Sequence, residues 1–226
     1  MIRLQSIKKD YNLGKTVINA LRGIDLNIEK GEFVAIAGSS GSGKSTLLNL
    51  IGCLDYPTSG QVYIDDIKTN DLSEKQLNRI RLYSIGFIFQ SFNLIPVLNI
   101  YENVELPLLI MNDVTAAERR ERVNHFIKEV GLAGQVNQKP AELSGGQRQR
   151  VAVARALATR PKIVLADEPT ANLDSRTGID IIELMHEINK RDSTTFIFST
   201  HDPKVIQRAD RIFNLEDGMI KSEGKQ

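Results

Sequence analysis

The residues with the clearest chemistry are Gly38-Ser39-Ser40-Gly41-Ser42-Gly43-Lys44-Ser45. Gly, four residues, Gly, Lys and then Ser is the spacing of a phosphate-binding loop. Glycines let the backbone turn tightly and present several N–H groups to a polyphosphate. Lys44 adds a mobile point charge for the outer phosphates, and the Ser45 hydroxyl suits Mg²⁺, a hard cation. A Gly/Ser-rich linker has a similar composition. This stretch, however, lies between Phe33-Val34-Ala35-Ile36-Ala37, which reads as a buried strand, and Thr46-Leu47-Leu48-Asn49-Leu50-Ile51, which reads as a helix. The positive end of that helix faces the phosphates, which places Thr46 beside Lys44 and Ser45 in the nucleotide-binding set.

Three more apolar runs end in polar residues: Gly86-Phe87-Ile88-Phe89 at Gln90, Ile163-Val164-Leu165-Ala166 at Asp167-Glu168, and Phe196-Ile197-Phe198 at Ser199-Thr200-His201. In an open α/β sheet, ligands bind beyond the carboxyl ends of the strands. Neighbouring parallel strands would therefore gather Lys44, Ser45, Gln90, Asp167, Glu168 and His201 into one site. Asp167 with Ser45 would hold Mg²⁺, and Glu168 would orient and deprotonate an attacking water. Gln90 would offer its amide oxygen to the metal or the water, and His201 would bond the terminal phosphate. Phosphoryl transfer needs mainly such positioning and charge stabilisation. Each residue also has a plainer reading: Asp167-Glu168-Pro169 as a strand end before a turn, Asp202 as a helix cap beside His201, Gln90 as an exposed turn residue. The phosphate loop favours the joint reading.

A second constellation is Leu143-Ser144-Gly145-Gly146-Gln147. Ser144 and Gln147 have capping-box spacing before a helix-forming run. A cap needs no Gly-Gly pair, whereas bare N–H groups at a helix start suit a phosphate. Ser144, Gly145, Gly146 and Gln147 thus form a second candidate anion site.

The elements that would position these groups can be traced along 226 residues, enough for one large domain or two small ones. Residues 1–30 alternate as antiparallel strands, and Gln61-Val62-Tyr63-Ile64 follows a turn signal. Ser73 and Thr115 open helices by capping-box spacing, the first reaching about Leu82, and Gly131 stops the second. Residues 91–111 are apolar but broken by Pro96 and Pro107, and the middle section reads as helical. Glu216-Asp217-Gly218 signals a hairpin. The chain is 41% hydrophobic and 25% charged with net charge +1, so no global basic field points to nucleic acid. Its single cysteine, Cys53, reads as a core residue of the helix after the phosphate loop; it excludes an internal disulfide and fits a reducing compartment. No signal peptide is visible, and no apolar run is long enough to span a bilayer.

Together, residues 38–45, Gln90, Leu143-Ser144-Gly145-Gly146-Gln147, residues 163–168, Asp174 and His201 resemble the nucleotide-binding subunits of ABC transporters, in order and over essentially the whole chain. The resemblance implies an α/β phosphate-loop NTPase fold: a RecA-like, mostly parallel sheet with an N-terminal antiparallel β-subdomain and an inserted α-helical subdomain. It implies one ABC ATPase domain over 1–226, with 1–90 and 160–226 as the nucleotide-binding core and 91–159 as the helical part carrying the signature. Asp174 looks like the family's D-loop aspartate and His201 like its switch histidine. Tyr11 sits where the family stacks an aromatic on adenine, though an edge-strand tyrosine is its plainer reading.

The implied cofactors are ATP and Mg²⁺. ATP would lie between residues 38–45 of one copy and 144–147 of a second, in a head-to-tail dimer with two equivalent sites. Gly52-Cys53-Leu54-Asp55, Phe92-Asn93-Leu94-Ile95-Pro96 and Pro169-Thr170-Ala171-Asn172-Leu173-Asp174 are similar to the MacB and LolD type. That implies an ATPase on the inner face of the cell membrane, driving a separate permease for export or extraction of lipoprotein, peptide or drug, with a periplasmic adaptor as a further candidate partner. Residues 91–111 are the candidate docking groove. A soluble ABC ATPase regulating a division or cofactor-assembly complex is the alternative. Ser39, where proline is usual, and Ala171, where glycine is usual, depart from the common pattern without removing a catalytic group.

Overall fold

The computed structural model describes residues 1–14 and 16–225. β1 (Ile2–Leu13) and β2 (Thr16–Ile28) pair antiparallel, and β3 (Phe33–Ala37) leads through the phosphate loop into α1 (Lys44–Ile51). β4 (Ser59–Ile64) and β5 (Ile67–Lys68) precede α2 (Glu74–Ser84) and β6 (Ile85–Ile88). Three helices follow: α3 (Ile100–Leu109), α4 (Ala116–Glu129) and α5 (Gly145–Ala158). The chain then runs through β7 (Ile163–Asp167), α6 (Ser175–Asp192), β8 (Thr195–Thr200), α7 (Pro203–Ile206), β9 (Arg211–Glu216) and β10 (Met219–Lys225).

Two sheets result. The first is antiparallel, in the order β2-β1-β4-β5; the second runs β10-β9-β3-β8-β7-β6. In the second, β9, β3, β8, β7 and β6 are parallel and β10 is an antiparallel edge. The β9–β10 hairpin turns at Asp217 and Gly218, both left-handed, as the Asp-Gly signal requires. The four strands with polar ends are neighbours in the order β3-β8-β7-β6, and their ends are level: Ala37 lies beside Thr200, Asp167 beside Ser199, and Ile88 beside Ala166.

These strands are buried on both faces, so their side chains divide two cores by alternation. Phe33, Ala35, Val164, Ala166, Phe196 and Phe198 face the helices, joining Val104, Phe126 and Val153. Val34, Ile36, Leu165 and Ile197 face the other way, joining Leu47 and Leu50 of α1 and Ile2, Leu4 and Leu26 of the antiparallel sheet. The phosphate-loop helix is thereby sandwiched between the sheets. A backbone bond from Arg22 N–H to Gly218 carbonyl (2.8 Å) also ties them.

Four local expectations are corrected or refined. Cys53 is buried but lies past the end of α1, where Gly52 is the C-cap and Cys53 has φ 55°; burial raises its thiol pKa to about 11. Pro107 does not break the apolar stretch. It sits inside α3, near its C-terminal end, where the helix stops two residues later. The start of α3 was missed altogether: Asn99 and Glu102 form a full capping box. At Thr115 only half a box forms, because Glu118 is engaged by Arg122 instead.

The irregular segment before α3 is held from within. Asn103 is fully buried; its Oδ1 accepts from Ile95 N–H (2.8 Å), and its Nδ2 donates to the carbonyls of Ile95 (3.2 Å), Leu98 (3.0 Å) and Asn99 (3.0 Å). Removing it leaves several partly buried backbone groups without these partners, at up to about 1–3 kcal/mol each. Asn103→Ala is expected to lower unfolding free energy by about 2–4 kcal/mol in urea titration; a loss below about 0.5 kcal/mol would contradict this role.

Candidate functional site

The phosphate loop has its shape because only glycine fits at two corners. A Cβ on Gly38 would lie 2.3 Å from the Leu215 carbonyl, and one on Gly43, at φ 106°, 2.6 Å from the Ala20 carbonyl. No side chain caps α1, so its first N–H groups remain for an anion. Ser40, Gly41, Gly43, Lys44, Ser45 and Thr46 line a cleft of about 560 Å³. Gly38, Ser39 and Ser42 shape the loop from beneath: the Gly38 and Ser39 carbonyls accept from Lys44 Nζ at 2.9 and 3.0 Å, and Ser42 is buried.

The strand ends bring the other groups to the same place. Gln90, Glu168 and His201 line the cleft, as does Tyr11. Asp167 Oδ1 accepts from Ser45 Oγ at 3.0 Å and from Ser199 Oγ at 2.6 Å. Ser199 Oγ in turn accepts from the Glu168 N–H at 2.9 Å, so one hydroxyl fixes two acidic residues. Glu168 takes the left-handed φ of 45°. Its largely buried carboxylate sits 3.3 Å from Lys44 Nζ and 3.0 Å from His201 Nδ1. Gln90 lines the cleft, and its backbone carbonyl accepts from Asn172 Nδ2 at 2.9 Å. The expected set of six therefore converges.

Two predicted groups do not enter this cleft. Ser144 caps α5 through a reciprocal box with Gln147. Gly145 and Gly146 pack beside Asn172, Leu173 and Thr177 of the same chain. Asp174 caps α6, accepting from the N–H groups of Arg176 and Thr177 at 3.1 Å. Hydrogen bonds from Thr177 and the backbone hold its carboxyl below the usual carboxylate range. Asp202 caps α7, as its plainer reading said, with His201 still turned to Glu168.

Among the residues not foreseen for the site are one that lines the cleft, Arg22, and two that hold residues of it, Ser199 and Asn172. Ser199 was visible only as a polar strand end, although a serine in a fully buried strand signals a partner. Asn172 and Arg22 arrive by contacts between distant segments, which no local pattern announces.

A larger, mostly apolar groove of about 660 Å³ lies away from the cleft, lined among others by Arg81, Phe87, Phe89, Asn93, Leu106, Pro107, Ile110 and Arg155. The expected docking stretch thus supplies part of its wall, with α2, β6 and α5 supplying the rest. Among the described residues no helix is long and apolar enough to cross a membrane.

Comparison with known proteins agrees with this geometry. Residues 21–171 match the family described as ABC transporter. The chain is 52% identical over 228 residues to the uncharacterized ABC transporter ATP-binding protein MJ0796 of Methanocaldococcus jannaschii, covering 100% of this chain and 97% of that protein. It is 44% identical over 223 residues to the lipoprotein-releasing system ATP-binding protein LolD of Anaeromyxobacter dehalogenans, covering 99% and 93%. Against the macrolide export ATP-binding/permease protein MacB of Rhodopirellula baltica the identity is 44%, over all of this chain and 33% of that longer protein. A dimeric post-hydrolysis structure of MJ0796 bound to ADP and Pi matches with a TM-score of 0.92 at 51% identity, covering 100% of this chain and 98% of that one.

The Gly43 corner gives a direct test of the cradle. Gly43→Ala is expected to keep the circular-dichroism spectrum and weaken ATP binding about tenfold or more in calorimetry. Unchanged affinity would contradict the loop geometry.

Proposed function

Because the chain belongs to the ABC transporter family of ATP-hydrolysing subunits, we propose that it binds ATP in the cleft, closes head-to-tail on a second copy, and uses hydrolysis to drive a separate membrane permease. The observation that carries this reading is the convergence of Lys44, Ser45, Gln90, Asp167, Glu168 and His201 on one cleft, with the α5 N-terminus and its Gly145-Gly146 pair left outside it.

Lys44 now bonds its own loop carbonyls and Glu168. A triphosphate entering the loop competes for Lys44 and for His201 and frees a Glu168 oxygen for water. Glu168 then takes the proton of the attacking water, while Lys44 and the N–H groups at the start of α1 stabilise charge on the phosphates. His201, beside Glu168, reaches the terminal phosphate. Gln90 orients the water.

The donor set fits Mg²⁺: a hydroxyl and a carboxylate oxygen 3.0 Å apart, Ser45 and Asp167, are the protein share of a cation otherwise held by phosphates and waters. When bound, Mg²⁺ neutralises charge on the outer phosphates.

Gly145 and Gly146 start a 14-residue helix whose N-terminus lies outside its own chain's cleft. A two-fold dimer brings each such N-terminus to the partner's triphosphate, making two shared sites. Asp174, next to this surface, would join the same interface. The solved MJ0796 structure bound to ADP and Pi is described as dimeric, which supports self-association.

One loop joins cleft and groove: Gln90 lines the cleft, and Phe89 and Asn93 line the groove. The groove is our docking site for a permease segment, placing the protein on the inner face of the membrane. Likeness to LolD and MacB supports a permease of their type and export or extraction of cargo, with a periplasmic adaptor as an additional partner.

Two outcomes are expected. Glu168→Gln should retain ATP affinity, lose about 100-fold or more in kcat, and run as a dimer with ATP in gel filtration; near-normal turnover would remove Glu168 from the base role. Ile110 is 66% exposed on the groove wall. Ile110→Glu should abolish co-purification of the membrane partner while ATP affinity stays unchanged; intact co-purification would exclude the groove.

A further inference from the structure

The cleft's aromatic wall is fixed by groups that the reaction itself does not use. Tyr11 Oη donates to Asp55 Oδ2 at 2.9 Å. The other oxygen of Asp55 accepts from Lys9 Nζ at 2.6 Å and from the Tyr56 N–H at 2.7 Å. Lys9 Nζ also donates to the Tyr56 carbonyl at 2.7 Å, and lies over the Tyr11 ring 4.9 Å from its centroid. Tyrosine, lysine and aspartate therefore hold one another, and Lys9 and Asp55 are only 12% and 28% exposed.

Asp55 belongs to the turn that closes α1. The turn is stiff: Gly52 N–H bonds the Leu48 carbonyl and Leu54 N–H the Asn49 carbonyl, both at 2.8 Å, and Cys53 is buried between them. The same short helix starts at Lys44, Ser45 and Thr46 in the phosphate cradle. Phosphate cradle and aromatic ring are thus referenced to one rigid body, although Tyr11 stands on a different sheet.

The geometry points to Asp55 as a positioning residue for nucleotide binding. It holds the Tyr11 hydroxyl so that, with Lys9 covering one ring face, the opposite face is presented to a nucleobase at a set distance from the phosphate loop. This rests on the reading of Tyr11 as the base-stacking residue. An unanchored tyrosine would lose rotamer freedom on stacking, a cost the Asp55 bond removes beforehand. The cation on the ring's far side adds its own attraction for the π face and bars that face to the base. Burial and the Asp55 carboxylate push the Tyr11 phenol above its ordinary value, so it remains a donor at neutral pH. Burial opposes the charge on Asp55, yet bonds from Lys9, Tyr56 and Tyr11 hold it below the usual carboxylate range.

The test compares Tyr11→Phe, Asp55→Asn, their double variant and Tyr11→Ala, titrated calorimetrically with ATP and, separately, with inorganic tripolyphosphate. Tyr11→Phe keeps the ring and removes only the anchored hydroxyl, so it separates anchoring from stacking. We expect Tyr11→Phe and Asp55→Asn each to weaken ATP about five- to tenfold, with the double variant no worse than either and tripolyphosphate affinity unchanged. KM for ATP should rise with kcat at saturation intact. Full ATP affinity in Tyr11→Phe and Asp55→Asn, with Tyr11→Ala weakened, would overturn the clamp and leave stacking standing. Full affinity in Tyr11→Ala would overturn both. Parallel loss of tripolyphosphate binding in Asp55→Asn would reduce Asp55 to a fold-stabilising role and overturn the proposal.

Discussion

The level register of four parallel strands is the constraint on which the site depends. Ala37 beside Thr200, Asp167 beside Ser199 and Ile88 beside Ala166 place every strand's carboxyl end on one line. Because these strands are buried on both faces, a slip of one residue would exchange the two cores and is strongly disfavoured. Packing thus enforces a register whose chemical product is a row of polar ends. Ser199 turns that row into a fixed array, donating to Asp167 and accepting from the Glu168 backbone. The helices and the antiparallel sheet then act as walls: one covers the sheet's far face, the other presses α1 and its phosphate loop against the strand ends.

The charge arrangement follows from burial. Lys44 is 6% exposed and Glu168 14%, and their charged groups lie 3.3 Å apart. They hold each other, with His201 as a third member and the loop carbonyls satisfying the remaining lysine protons. Removing one partner from such a pair commonly costs about 3–5 kcal/mol. A triphosphate is a stronger partner for Lys44 and His201 than one carboxylate. In the proposed reaction, binding reorganises this small network and releases the groups that hydrolysis needs. The loop through Gln90, anchored by Asn172, runs on to Phe89 and Asn93 at the groove proposed for docking, and so joins the two places.

Much of this was legible because local chemistry and long-range placement coincide. The phosphate loop needs glycines at fixed places, strand ends announce themselves by a change from apolar to polar, and Ser73 and Ser144 cap helices by a spacing that physics dictates. What escaped reading depends on contacts between distant segments or on competing local signals. Ser199 looked like an ordinary strand terminus until Asp167 lay beside it. The prolines at 96 and 107 masked the Asn99 capping box, yet Pro107 is accommodated near the end of α3. Cys53 looked helical because its neighbours are apolar, but Gly52 ends the helix first. Asp55, in the turn after α1, meets Tyr11 of β1 across 44 residues of sequence, and β9 joins the parallel sheet without an apolar run of its own.

The central claim is that one bound triphosphate touches the phosphate loop of one copy and the α5 N-terminus of another. Cross-linking between two engineered chains tests it most directly, one carrying Ser40→Cys and the other Ser144→Cys. The native Cys53 is buried, with its thiol raised to about 11, and does not compete. The account predicts a disulfide-linked heterodimer that forms with ATP and not without it. Absence of the cross-link with ATP bound, or its equal formation without nucleotide, would contradict the shared site.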